Sequence, residues 1–178
     1  MNPNEFLTIY FSIRKANPIS RFFASLQDGI SHAGFSFKLP QINKLWIWES
    51  KGHGGLSYSD PVEFEANVTV IETYQIAWTE NERMIALFQM DRLLREHYGY
   101  MGVLGMTVVL ICKKLGGWSE NPFPTGYFCS KAVYTVLKDV FKFYVDGDPS
   151  ESRIGPEDLR DLFRELIVKY PDKVKRIL

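Results

Sequence analysis

Near Thr79 the hydrophobic period of this chain changes from two to between three and four, and that switch leaves few folds open. Before it, Leu7, Ile9, Phe11 and Ile13 alternate with Thr8, Tyr10 and Ser12, the pattern of a strand with one buried face. "AGFSF", "KLWIWES" and "VTVIETYQIAW" continue the β pattern, and Asn43-Lys44 between the first two predicts a hairpin. After it, Thr79 and Glu82 form a capping-box pattern at the head of a helix carrying Met84, Leu87, Phe88, Leu94 and Tyr98. A buried helix is predicted through Val103 to Leu115, and another places Ala132, Val133, Val136, Leu137 and Val140 on one face. The last helix is announced by Gly155 and Pro156, with Glu157 and Asp158 where the helix dipole favours negative charge, ahead of Leu159, Leu162, Phe163 and Leu166. Strands first and helices afterwards predict an α+β fold, an antiparallel sheet packed against helices.

A chain of 178 residues suits one domain spanning 1–178. Its 21 Lys plus Arg balance 21 Asp plus Glu, so no global field gathers nucleic acid or an anionic membrane. The basic cluster Lys173, Lys175 and Arg176 reads as a solvated C-terminus. The N-terminus lacks the basic start and long apolar run of a secretory signal. The most apolar segment, "GVLGMTVVLICKKLGG", is broken at Gly105 and reaches Lys113, short of the roughly 20 residues that cross a bilayer. The expectation is therefore no integral membrane segment and a cytoplasmic location, unless a phage or another route delivers the protein, with Cys112 and Cys129 as reduced thiols. No metal is expected, because the two cysteines and three histidines lack the usual close ligand spacings. No cofactor is expected either: "KGHGGLS" lacks the Lys-Ser/Thr ending and strand-to-helix context of a phosphate loop.

The chemistry gathers around "GYFCSKAVYTVL", where Pro122, Pro124 and Gly126 disfavour helix before Cys129 and helical periodicity follows it. A thiol at a helix N-terminus lies near unsatisfied N–H groups and the positive end of the dipole, which favours the nucleophilic thiolate. Free cysteine is equally at home as a buried space-filler, so a base is required to decide between the two. His97 lies in the predicted helix after Thr79, placed to cap its carbonyls, and His53 lies in a glycine-rich loop. His32, in "ISHAGFSF", opens a strand beside small residues and is the best candidate base. Glu49, at the end of the probable neighbouring strand, is placed to accept the other ring N–H and fix the tautomer, with His53 as its rival.

"SHAGF", a strand ending in "WES", and later "GYFCSKAV" at a helix start together resemble the circularly permuted branch of the NlpC-type, papain-like cysteine hydrolases. In that branch histidine comes first, the polar third member next and the cysteine last, which is the order here. "REHYGYMGVLG" resembles the family's tyrosine-and-glycine turn, and "GPEDLRDLFREL" its closing helix. The resemblance implies a permuted papain-like fold with Cys129 as nucleophile, His32 as general base and then acid, and Glu49 as the orienting group. It places Tyr127 near a carbonyl oxygen, and Ser31 and Ser130, beside the two reacting groups, join it as candidate substrate or oxyanion contacts. The implied substrate is a peptide or acyl amide, as on cell-wall peptides. Related members act on lipid acyl groups, and a catalytically idle binding module on the same fold is a third alternative.

Overall fold

The computed structural model describes residues 6–39, 43–51, 55–94, 96, 99–116, 127–144 and 154–178, without the side chains of 100–102, 106, 113 and 114. Six strands, β1 (Phe6–Arg14), β2 (His32–Leu39), β3 (Lys44–Lys51), β4 (Gly55–Ser59), β5 (Val68–Ala77) and β6 (Val174–Arg176), form one sheet in the order β4-β3-β2-β1-β5-β6. Every neighbouring pair is antiparallel. The expected β2–β3 hairpin is present, with Leu39 opposite Lys44 and Asn43 in the left-handed region at φ 46°.

Alternation sorts the side chains of the sheet. Leu7, Ile9 and Phe11 of β1 join Phe35, Trp48, Tyr74 and Ile76 in the main core. Over that face lie α3 (Glu80–Leu93), α5 (Cys129–Val136) and α6 (Pro156–Lys169), which contribute Met90, Val133, Tyr134 and Phe163. Tyr10, one position out of phase with Ile9 and Phe11, packs instead with Ile47, Phe64 and Val68 under the short helix α2 (Pro61–Asn67). Two further helices, α1 (Pro18–Leu26) and α4 (Tyr100–Lys114), touch one another.

Helix starts follow their local chemistry. Thr79 accepts the N–H of Glu82 while the Glu82 carboxylate accepts the N–H of Thr79 at 2.8 Å, the reciprocal cap expected at α3. At α6 the Asp158 carboxylate accepts the Gly155 N–H at 2.7 Å ahead of Pro156. α5 begins at Cys129 and passes through a π-helical turn, Leu137–Phe141, that stops at Lys142 in the left-handed region, φ 58°.

Four expectations require correction. The α3 stripe facing the core is Ala86, Met90 and Leu93, whereas Met84 and Phe88 are exposed, because burial follows the i, i+4, i+7 row nearest α5 rather than the most apolar residues. α4 is buried on one face only: Val109 and Leu110 are inside, while Leu104, Ile111 and Leu115 are exposed. Of the glycine-rich stretch, Gly55, Leu56 and Ser57 belong to β4 rather than to a loop, with Gly55 at φ +73° at the head of the strand. The basic tail is not free: Val174 is buried as β6 pairs with β5, Lys173 reaches Glu82 at 2.5 Å and Arg176 reaches Glu72 at 3.2 Å. Among the described residues no helix is long and apolar enough to cross a membrane. His53, His97, Tyr98 and residues 117–126 lie outside the described residues.

Candidate active site

Antiparallel pairing assembles the site from β1, β2 and β3. Gly34 lies opposite both Tyr10 and Glu49, and His32 lies opposite Ser12, so His32 and Glu49 project from the same face of adjacent strands on a diagonal. The ring of His32 meets the carboxylate directly, with Nε2 3.0 Å from Glu49 Oε2. Beside this pair the β1–β5 register shifts between Phe11 and Ser12, an irregularity of the kind that re-aims side chains at sites.

Two further groups hold Glu49. Ser59, from β4, donates its hydroxyl to Oε1 at 2.5 Å, and Arg14, at the end of β1, donates from its guanidinium to Oε2 at 3.0 Å. Glu49 is 2% exposed, so without these three donors its charge would be prohibitively costly. Burial acts to raise its pKa, but hydrogen bonds from His32 and Ser59 and the charges of His32 and Arg14 outweigh it and lower the carboxyl to about 2.

Cys129 completes the arrangement, hydrogen-bonded to His32. α5 packs against β2, bringing its first residue to the first residues of that strand. Burial opposes ionisation of the thiol, yet the charge and hydrogen bond of His32, with the backbone N–H groups of Ala33 and Ser130, lower its pKa. The ring responds in kind: burial pulls His32 down, while the Cys129 sulfur and then Glu49 push it up to about 9. Each partner thus favours the charged form of the other, imidazolium and thiolate, while Nε2 is held on Glu49.

The structure brings Cys129, His32, Glu49, Ser31 and Ser130 together. Ser31 shares a 2.5 Å hydrogen bond with Ser20 and lines the cleft beside His32. Ser130 donates its hydroxyl to the Ile154 carbonyl at 2.6 Å, so it offers the site its backbone N–H rather than its side chain. Tyr127 is placed differently: its ring packs partly against the core with the Lys131 ammonium 4.9 Å from its centre, and it is not among the cleft-lining residues. Arg14 and Ser59 escaped sequence reasoning. The only local trace of Arg14 is its phase in β1, two positions beyond Ser12 on the face that carries Tyr10.

The cleft over Cys129 is open to solvent. One wall is α1, through Ile19, Ser20 and Phe23, and the opposite side is formed by the starts of α5 and α6. Asn17 caps α1 by accepting the N–H groups of Ile19 and Ser20, which fixes the wall's entry point next to Arg14.

Cys112 and Cys129 are both free thiols. Among the described residues no group of three His, Cys, Asp or Glu side chains could hold a metal ion.

No family model and no curated protein sequence matches the chain. Its fold is similar to that of the metalloprotein yiiX from Escherichia coli O157:H7, with a TM-score of 0.55 at 12% identity over 100% of this chain and 98% of that one. The likeness to yiiX is one of fold: a mixed α+β arrangement of a six-stranded antiparallel sheet and helices.

Proposed function

We propose that the chain is a single permuted papain-like domain that cleaves an amide or peptide bond through a thioester acyl-enzyme. The observation that carries this reading is the His32 ring suspended between the Glu49 carboxylate and the thiol at the start of α5. A cysteine that merely filled space would need neither the buried cation nor the carboxylate, each of which costs desolvation energy.

In the first step the Cys129 thiolate attacks the substrate carbonyl carbon, forming a C–S bond as the carbonyl electrons move to oxygen. The backbone N–H of Cys129, free at the head of α5, is the natural donor to that oxyanion. The C–N bond then breaks, and the proton held by His32 passes to the departing amine nitrogen. His32, now neutral, takes a proton from water, hydroxide attacks the thioester, and the thiolate leaves as the carboxylic acid forms. Glu49 holds the ring's orientation and stabilises its cationic form, Ser59 and Arg14 keep Glu49 ionised, and no step requires a metal. The neighbour yiiX is a metalloprotein, but the donor set around His32 does not form a chelating group, so no step is assigned to an ion.

A second reading, acyl transfer from a lipid ester, is favoured by one feature: Ile19, Phe23, Val103 and Phe128 give the cleft an apolar lining. Trapping the acyl-enzyme and weighing the Cys129 adduct separates the two. An adduct of amino-acid or peptide mass supports amide cleavage, and a fatty-acyl mass replaces it with the lipid reading. A thiol of ordinary pKa that forms no adduct leaves an idle binding module.

A further inference from the structure

We infer that the cleft beside Cys129 recognises a free carboxylate on its substrate through Arg14, so that the preferred substrate is an acyl amide carrying such a group. The inference rests on the amide-cleavage reading above and names the substrate class of that site.

Arg14 is the only permanently charged side chain lining the cleft among the described residues, and no Asp or Glu lines it. A guanidinium carries five N–H donors in a fixed fork suited to a carboxylate. Here Glu49 takes one of them at 3.0 Å, and the others have no protein partner among the described residues. Glu49 is almost wholly buried while the Arg14 side chain is 30% exposed, so Arg14 bridges a hidden anion on one side and reaches the open cleft on the other.

Unmet polar groups lie at the same cleft: Gln27, at 3% exposure, and Ser50, at 4%, both line it, and Gln27 Oε1 and Ser50 Oγ have no hydrogen-bond partner among the described residues. Buried polar atoms are seldom left so, because each costs about 1–3 kcal/mol unmet. The Arg14 charge is already met by the Glu49 carboxylate at 3.0 Å. Recognition therefore comes from directed donors rather than a net field, and a neutral analogue of the same shape forfeits it.

The test is binding to the Cys129→Ala protein, which removes turnover from the measurement. Calorimetric titration compares N-octanoylglycine, its neutral amide N-octanoylglycinamide, and octyl phosphate. The carboxylate is expected to bind at least about tenfold tighter than the neutral amide, with Arg14→Gln erasing that difference. Where Arg14→Gln alone fails to fold, Arg14→Gln with Glu49→Gln removes both charges together and is read the same way. Equal or absent binding of the carboxylate and amide probes overturns the inference, as does a preference that survives Arg14→Gln. Tighter binding of octyl phosphate than of N-octanoylglycine overturns the carboxylate assignment. The amide-cleavage reading is judged separately, by the alkylation pH profile of the wild-type thiol. A lowered thiol midpoint with no carboxylate preference sinks this inference alone.

Discussion

His32 and Glu49 meet at 3.0 Å across two neighbouring strands, and the carboxylate oxygen they share also receives the Arg14 guanidinium at 3.0 Å. A buried carboxylate that accepts from a ring, a hydroxyl and a guanidinium is held ionised far into acid, at about 2 against an ordinary 4.5. The unfolded chain binds that proton more readily than the folded one, so stability rises with pH across this interval. The contribution is fully present above about pH 4.5 and is lost as pH falls toward 2. Urea titrations at a series of acid pH values are expected to show this limb in the wild type and a flatter one in Glu49→Gln. Parallel limbs in the two proteins would show that Glu49 is not the group responsible.

The ring and the thiol raise and lower one another, so each should report the other's loss. Alkylation of wild-type Cys129 by iodoacetamide is expected to titrate below the ordinary thiol value of 9.0, since His32 supplies both charge and a hydrogen bond. In His32→Ala only burial and the backbone donors remain, and burial raises the midpoint. The rate at pH 7 should then fall by at least about tenfold, the thiolate fraction lost per unit of pKa. An unchanged midpoint in His32→Ala breaks the link between the two residues.

Tyr10 lies over Gly34 with its hydroxyl buried and without a partner among the described residues. Burial first, then the charge of Glu49, pushes its pKa well above 10.0, so the phenol stays neutral at any working pH. Removing an unmet buried hydroxyl is close to neutral or stabilising, which is the outcome expected for Tyr10→Phe in a thermal melt. Gly34→Ala is expected to act oppositely. Its methyl would stand 2.2 Å from Tyr10 Oη and 2.9 Å from the Trp48 carbonyl oxygen, forcing strand and ring apart. A loss of about 1–3 kcal/mol is the usual result of such overpacking. A Gly34→Ala protein as stable as the wild type would mean that β1 and β2 yield freely at the site.

Much of this arrangement is legible in the chain, for reasons that differ by residue. β1 reads clearly because only one of its faces joins the main core, and α3 because Thr79 and Glu82 satisfy each other locally. The meeting of His32 with Glu49 follows from hairpin pairing, which local sequence largely dictates. α1 and α2 were missed although each opens on a capping residue before proline, Asn17-Pro18 and Asp60-Pro61, because the same dipeptides also initiate turns and the helices are short. β6 is three residues among charges, and only the exposed edge of β5 makes it a strand. The Arg14–Glu49 contact joins positions 35 apart in sequence without a local pattern to announce it. What sequence misses here is what tertiary pairing alone creates.

Cys129 and Leu137 stand on one continuous helical stretch but are expected to fail differently. Cys129 packs at the edge of the core with 9% of its surface exposed, and its sulfur is engaged mainly by His32 and by backbone N–H groups. Leu137 is fully enclosed and sits where α5 gives way to the π-helical turn, inside the main core. Cys129→Ala should therefore retain the wild-type denaturation midpoint to within about 1 kcal/mol while turnover disappears, the cost being small because little volume is removed. Leu137→Ala and Val133→Ala should lose about 1 to 5 kcal/mol through transfer and cavity terms, with turnover at low temperature kept by the fraction that remains folded. Chemical denaturation and active-site titration on the same samples distinguish the two behaviours. A Cys129→Ala protein that unfolds, set against a wild type with no hydrolytic activity, would return the thiol to the role of a packing residue.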